Sequence, residues 1–174
     1  HDALPIWYSL IDKVWHPDTL RLASWAVIRN GGAPGVDHRT TEHLEEELNA
    51  EVELLEQRLR EDTYQPQPVK RVWIEKPGSK EKRPLGIPVV RDRVVQAAVR
   101  AVIEPIFERE FSPQSYGFRP GRRAQDAVAR VEQLLGEANH WVVDADLKSY
   151  FDTIPQDKLM ALMEEKISDG RLLR

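Results

Sequence analysis

The chain has 174 residues, 31% of them charged, a formal net charge of −4 and no cysteine. That length accommodates one sizeable core, or one domain and the beginning of another, and the missing thiols exclude disulfides and thiolate metal centres. No apolar run approaches the roughly 18 residues that cross a bilayer, no signal-peptide pattern opens the chain, and His1 in place of Met predicts a segment cut from a longer protein.

In chain order, Pro17 in a first turn and Asn30-Gly31-Gly32 at the far end bracket a helix, with Leu20, Ala23, Val27 and Ile28 as its apolar face. Residues 31–37, GGAPGVD, form a loop. Leu44, Leu48, Val52, Leu55 and Leu59 recur at helical spacing, so an amphipathic helix follows, and its many glutamates are expected on the solvated face. Residues 69–74 and 83–90 read as two strands joined by the polar turn PGSKEK, residues 77–82, a β-hairpin with a cationic tip. A helical pattern runs from Arg91 to an expected interruption at Pro105, with Ile106 and Phe107 continuing the apolar face. Residues 112–121 form a loop, and Ala124 to Leu135 another helix. Trp141-Val142-Val143 then reads as a buried strand, and Pro155 opens a last helix. A single strand has no stability of its own, so its sheet must be completed by the hairpin, by further sequence or by another molecule. A homodimer that pairs these strands is one way to meet that need.

The net charge conceals a division. Residues 41–62 hold nine acids against two arginines, whereas residues 69–100 hold nine bases against three acids. A polyanion is expected on the basic middle.

Three stretches carry chemistry. Asp146 stands at the exit of the expected strand, with the strand period placing Asp144 on the same face. A rigid carboxylate beside an aromatic pair suits a site where Mg²⁺ meets a nucleotide, since magnesium takes one or two protein carboxylates and fills its other positions with phosphates and water. The plainer alternative is an aspartate capping the next helix. Phe151, five residues on, would lie against the nucleotide sugar and exclude a 2′-hydroxyl. The hairpin tip, with Lys76, Lys80, Lys82 and Arg83, is either a charged turn or a clamp for a triphosphate. The segment SYGFRPGRR offers Tyr116, Phe118, Arg119, Arg122 and Arg123. It suits stacking and phosphate contacts with a nucleic-acid strand, although one of its two rings is expected to plug the core. No P-loop pattern occurs, and the five histidines are scattered.

GGAPGVD, KRPLGIPVVRDRVVQ, EPIFEREFSPQSYGFRPGR and WVVDADLKSYFD, in this order, make the chain resemble the reverse transcriptases encoded by bacterial group II introns, from about Trp15 to the end. The resemblance implies an α+β fold, the fingers and first part of the palm of a right-hand polymerase, helix-rich with a β-hairpin and a palm strand. Residues 1–137 would be fingers with an N-terminal extension, and residues 138–174 the start of the palm. It implies RNA-directed DNA polymerase activity in a bacterial cytoplasmic parent, which serves retrohoming and intron splicing. The implied partners are an RNA template or intron RNA, a DNA primer and dNTPs. It implies Mg²⁺ at a two-metal site with Asp146 as catalytic ligand and Leu147 offering a backbone carbonyl. Lys76, Arg83 and Phe151 would contact the dNTP, and Gly31, Gly32, Tyr116, Arg119, Arg122 and Arg123 the RNA. The family's remaining carboxylates come from a Tyr-Ala-Asp-Asp turn, and no Asp-Asp pair occurs here, so these residues alone are expected to be inactive. The longer hairpin turn makes Arg83 a firmer match than Lys76. An RNA-binding splicing module, or a free-standing defence- or CRISPR-associated relative, are the alternative readings.

Overall fold

A computed structural model describes residues 6–75, 78, 81–137, 139–147 and 149–174. The chain separates into two compact units, one running up to Glu104 together with Lys166–Arg174, the other Pro105–Glu165.

The first unit is a helical core carrying one hairpin. A short α1, Ile11–Val14, leads into α2, Pro17–Asn30, which begins as expected, with Pro17 at its first position and His16 Nδ1 accepting from the Asp18 amide at 3.3 Å. It ends at Gly31, whose φ of 61° is the left-handed conformation that glycine adopts without a Cβ clash. The acidic segment is two helices, α3 (Thr41–Glu46) and α4 (Leu48–Arg60), separated at Glu47. The first turn of α3 is closed by a reciprocal cap between Thr40, just before the helix, and His43. Strands β1, Lys70–Glu75, and β2, Lys82–Ile87, pair antiparallel as a hairpin, with Trp73 opposite Pro84 and Ile74 opposite Arg83. Helix α5, Val90–Glu108, follows. The expected interruption at Pro105 does not occur. Proline removes one amide donor, and the turns on either side of it continue the helix.

Leu20, Ala23 and Val27 of α2 meet Val52, Leu55 and Leu59 of α4 and Val90, Val94 and Ala98 of α5 in one apolar cluster. The last residues close this unit from far along the chain. Ile167 is fully buried and bridges in parallel to Trp7. Asp169 Oδ2 accepts the first free amides of α1, from Leu10 at 2.7 Å and Ile11 at 2.8 Å. Those bonds hold the Asp169 carboxyl below the usual range, against the upward push of its burial.

The second unit contains the end of α5, a long loop, α6 (Ala124–Gly136), α7 (Tyr150–Thr153) and α8 (Gln156–Glu164). Helix α6 is strongly amphipathic, yet Val128, Val131 and Leu135 are exposed. The strand expected over residues 141–143 is not formed. Among the described residues the only sheet is the two-stranded hairpin, and Trp141 is 98% exposed. Without a neighbouring edge to bond to, a β-branched run gains nothing from an extended ladder. The inference that Asp144 and Asp146 share a strand face therefore loses its basis. Among the described residues no helix is long and apolar enough to cross a membrane.

Candidate functional site

Three consecutive residues of α5 assemble the first unit around the expected nucleotide hairpin. Arg91 sends two bonds to Glu51 on α4, Nε to Oε2 at 2.8 Å and Nη2 to Oε1 at 2.7 Å. Asp92, buried, accepts from the Tyr64 hydroxyl and from the Gln67 amide at 2.9 Å, which anchors the chain just ahead of β1. Burial and the Asp92 carboxylate push the Tyr64 phenol far above its ordinary range, so it stays a donor. Arg93 reaches the Gly31 and Ala33 carbonyls at 3.1 and 2.8 Å, fastening the GGAPGVD loop.

This arrangement corrects two expectations. Glu51 is not on the solvated face; it is 6% exposed and also accepts from Arg39 Nη1 at 2.6 Å. Arg91 and Arg93 are committed to a protein carboxylate and to carbonyls, so the basic middle offers a polyanion fewer cations than its composition suggests. Lys70, Arg71, Lys82 and Arg83 of the hairpin remain at its surface, Lys70 half-buried and the others exposed. Arg83 projects from β2 in register with Ile74. Lys76, expected as its companion at the triphosphate, lies outside the described residues, as does Lys80.

The glycines expected to approach a template have reasons internal to the protein. Gly31 terminates α2 and gives its carbonyl to Arg93. A Cβ on Gly32 would stand 3.0 Å from the Arg93 guanidinium, and one on Gly35 would stand 2.7 Å from the Val89 backbone. The loop is thin so that α5 can pack on it.

In the second unit, the SYGFRPGRR loop is organised by one arginine. The Arg119 guanidinium donates to Glu108 Oε1 at 2.7 and 3.0 Å, to the Ser112 carbonyl at 2.7 Å and to the Ser115 carbonyl at 3.1 Å. Its side chain is 7% exposed. The bond from Arg119 holds the Glu108 carboxyl below the usual range. This guanidinium is enclosed and occupied, which makes Arg119 the loop's fastener rather than a phosphate contact. Arg122 donates to the Pro113 carbonyl and lies over the half-buried Tyr116 ring at 5.4 Å. Arg123 precedes α6, its amide donating to Asp126 Oδ2 at 2.8 Å and its largely exposed guanidinium to Asp126 Oδ1 at 3.3 Å. Tyr116 is thus the inward ring of the pair, and Phe118 the outward one. The sequence left open which of the two rings plugs the core and which is available to stack; the place of Phe118 between Gly117 and Arg119-Pro120-Gly121 is the signal for a ring at a tight turn.

Asp146 and Leu147 lie in the exposed stretch before α7, which the chain enters through Ser149 at a φ of 52°. Phe151 is 85% exposed and stacks edge-on against Tyr150, centroids 5.6 Å apart. Among the described residues the Asp146 carboxylate has no hydrogen-bond or ion-pair partner, and no group of three metal-ligating side chains converges. An open carboxylate that keeps its lone pairs free fits magnesium, which asks for few protein ligands and takes the rest from substrate and water. Arg83 belongs to the first unit and Asp146 with Phe151 to the second.

Comparison with known proteins adds the relationship. The family model described as reverse transcriptase (RNA-dependent DNA polymerase) matches residues 74–169. Protein YkfC of Escherichia coli strain K12 is 39% identical over 170 residues, covering 94% of this chain and 44% of that protein. Group II intron-encoded protein LtrA of Lactococcus lactis subsp. cremoris is 37% identical over 158 residues, covering 90% of this chain and 26% of that protein. Nuclear intron maturase 1, mitochondrial, of Arabidopsis thaliana is 29% identical over 49% of this chain. The chain spans less than half the length of each of these relatives.

Proposed function

Because this chain belongs to the reverse transcriptase (RNA-dependent DNA polymerase) family, we propose that it forms the fingers and the first part of the palm of a group II intron-type enzyme. Residues 1–137 are the fingers with an N-terminal extension and residues 138–174 the opening of the palm. The observation that carries this reading is the exposed carboxylate of Asp146, unpaired among the described residues, five residues before the exposed ring of Phe151 and within the matched span. The whole protein copies an RNA template onto a DNA primer from dNTPs in the bacterial cytoplasm, and through its intron RNA serves retrohoming and splicing.

Asp146, with the Leu147 carbonyl, would hold Mg²⁺, which would supply positive charge beside the attacking and leaving oxygens at phosphorus. The hairpin presents Arg83 and Lys76 to the triphosphate, the guanidinium by paired bonds and the ammonium as a point charge. Phe151 faces the sugar. Tyr116, Arg122, Arg123 and the Gly31-Gly32 turn follow the RNA, and Arg119 keeps their loop in shape. A second copy of the chain, pairing along residues 142–143, covers the exposed Val142 and Val143.

Two measurements test the reading. In a polymerase carrying this sequence, Phe151→Ala increases ribonucleotide relative to deoxyribonucleotide incorporation by roughly tenfold or more, the scale that one removed steric conflict commands. An unchanged ratio in single-nucleotide kinetics removes Phe151 from the sugar. The 174-residue chain should also bind RNA with an affinity that falls steeply with salt, as release of condensed counterions requires. A flat dependence across a titration series would return the exposed arginines to a structural role. The splicing-module reading has one favouring observation, the identity to an intron maturase, and predicts RNA binding without any effect of Phe151 on sugar choice.

A further inference from the structure

Phe118 is the most exposed large apolar side chain among the described residues, at 99%. Its φ is 56°, a left-handed conformation that a bulky residue with a Cβ adopts only under strain. The position is therefore held at a double cost: a phenyl ring left in water and a backbone angle suited to glycine or asparagine. The loop around it is not slack. Arg119, the next residue, ties it to Glu108, Ser112 and Ser115 through bonds of 2.7 to 3.1 Å, and its guanidinium also lies 5.4 Å from the Phe111 ring. Arg122 fastens the other side to Pro113. A ring on a clamped turn loses little entropy on binding, because it is already oriented.

The surroundings define what such a ring receives. Tyr116 is half-buried with Arg122 over its ring, so Phe118 is the fully open ring of the loop. Arg123, no more than roughly 17 Å of chain away, has a largely exposed guanidinium whose one ion pair, to Asp126 Oδ1 at 3.3 Å, is itself at the surface and weak enough for a phosphate to compete with. A flat apolar face with a cation at this range matches a planar group attached to an anionic backbone.

We propose that Phe118 is a stacking platform for one unpaired base of single-stranded RNA, with Arg123 meeting a nearby phosphate. This rests on the reading of the chain as an RNA-handling segment and adds to it a contact made to a base rather than to the backbone. Stacking on a ring tolerates any base, so the platform holds a strand without reading its sequence.

The test compares the 174-residue chain's affinity for a short single-stranded RNA with that for an RNA of the same length and charge whose sugars carry no bases. Wild type should prefer the base-bearing strand by about tenfold, within the range that one base–aromatic stack supplies. Phe118→Ala should lose that preference while binding the abasic strand as before, and Phe118→Trp should keep it. Phe118→Gly should lose it too while raising the thermal midpoint by roughly 2–4 °C, because glycine relieves the backbone angle. A midpoint that falls for Phe118→Gly would show the ring packing in the fold and overturn the proposal. Equal wild-type affinity for the two strands would overturn the platform and leave RNA binding intact, pointing to a protein surface as the ring's occupant. An equal loss for both strands in Phe118→Ala would likewise reject it. Binding to neither strand at low salt would overturn both this inference and the RNA-handling reading beneath it.

Discussion

Replacing Asp146 with asparagine in a complete polymerase that carries this sequence is expected to lower primer extension by about two to three orders of magnitude, the scale for removing one preorganised electrostatic group from a reacting centre. Asparagine keeps the shape and the hydrogen-bonding reach of the side chain and removes the charge that a divalent cation requires. The Asp146 carboxylate makes no bond within the described residues, so the substitution breaks no contact among them. A loss of activity with an unchanged thermal midpoint would therefore report on the metal and not on folding. Asp152→Asn is the control, an exposed carboxylate at the start of α7, and its effect should be small. Near-normal extension by Asp146→Asn would remove this residue from the catalytic centre and move the weight to the splicing-module reading.

The largest expected effect on stability belongs to Glu51. Its buried carboxylate takes Arg91 by both oxygens and Arg39 by one, and Arg39 also reaches Glu47. Glu51→Gln leaves Arg91 half-buried without its counter-charge, and breaking one partner of such a pair costs about 3–5 kcal/mol. Glu47→Gln, at an exposed position, should cost less than about 1 kcal/mol. Thermal or urea unfolding of the two variants separates these outcomes, and equal small losses would show that the clasp adds nothing. The acid dependence has a defined sign. Burial alone would raise the Glu51 carboxyl, but the bonds and charges of Arg91 and Arg39 outweigh it and hold the group below its ordinary value. A carboxyl depressed in the folded state contributes its full stabilisation above its unfolded value, roughly pH 4.3. That contribution is lost as pH falls below this point. Glu51→Gln should flatten the low-pH limb of a stability profile.

Residue pattern alone was enough for the elements whose causes are local. Pro17 and Gly31 bracket α2, the spacing of Leu44 to Leu59 marks the acidic segment as helical but not its break at Glu47, and the β-branched run before a polar turn marks the hairpin. Each depends on backbone preferences or on a periodic apolar face, both of which are written within a few residues. The family was legible too, because its motifs are strings in fixed order. Glu51 shows a signal that was present and misread. It lies three residues after Leu48 and four before Leu55, on the very stripe that faces the core, where a glutamate needs an arginine to meet it.

Other features follow from what each segment meets in space. Trp141 to Val143 has a strand's composition and no strand, since a ladder needs a partner edge and composition cannot supply one. Arg91, Asp92 and Arg93 are three adjacent charges in the sequence, yet they serve α4, the approach to β1 and the GGAPGVD loop, because successive helical side chains point about 100° apart. Arg119 and Arg123 are the same residue type four positions apart; enclosure made one a fastener and left the other exposed beside Asp126. Asp169 lies 159 residues from the Leu10 amide it caps. Helix, turn and family membership were thus determined by sequence. Which charges stay at the surface was decided by tertiary packing, because a charge is available to a ligand only where no buried partner has already taken it.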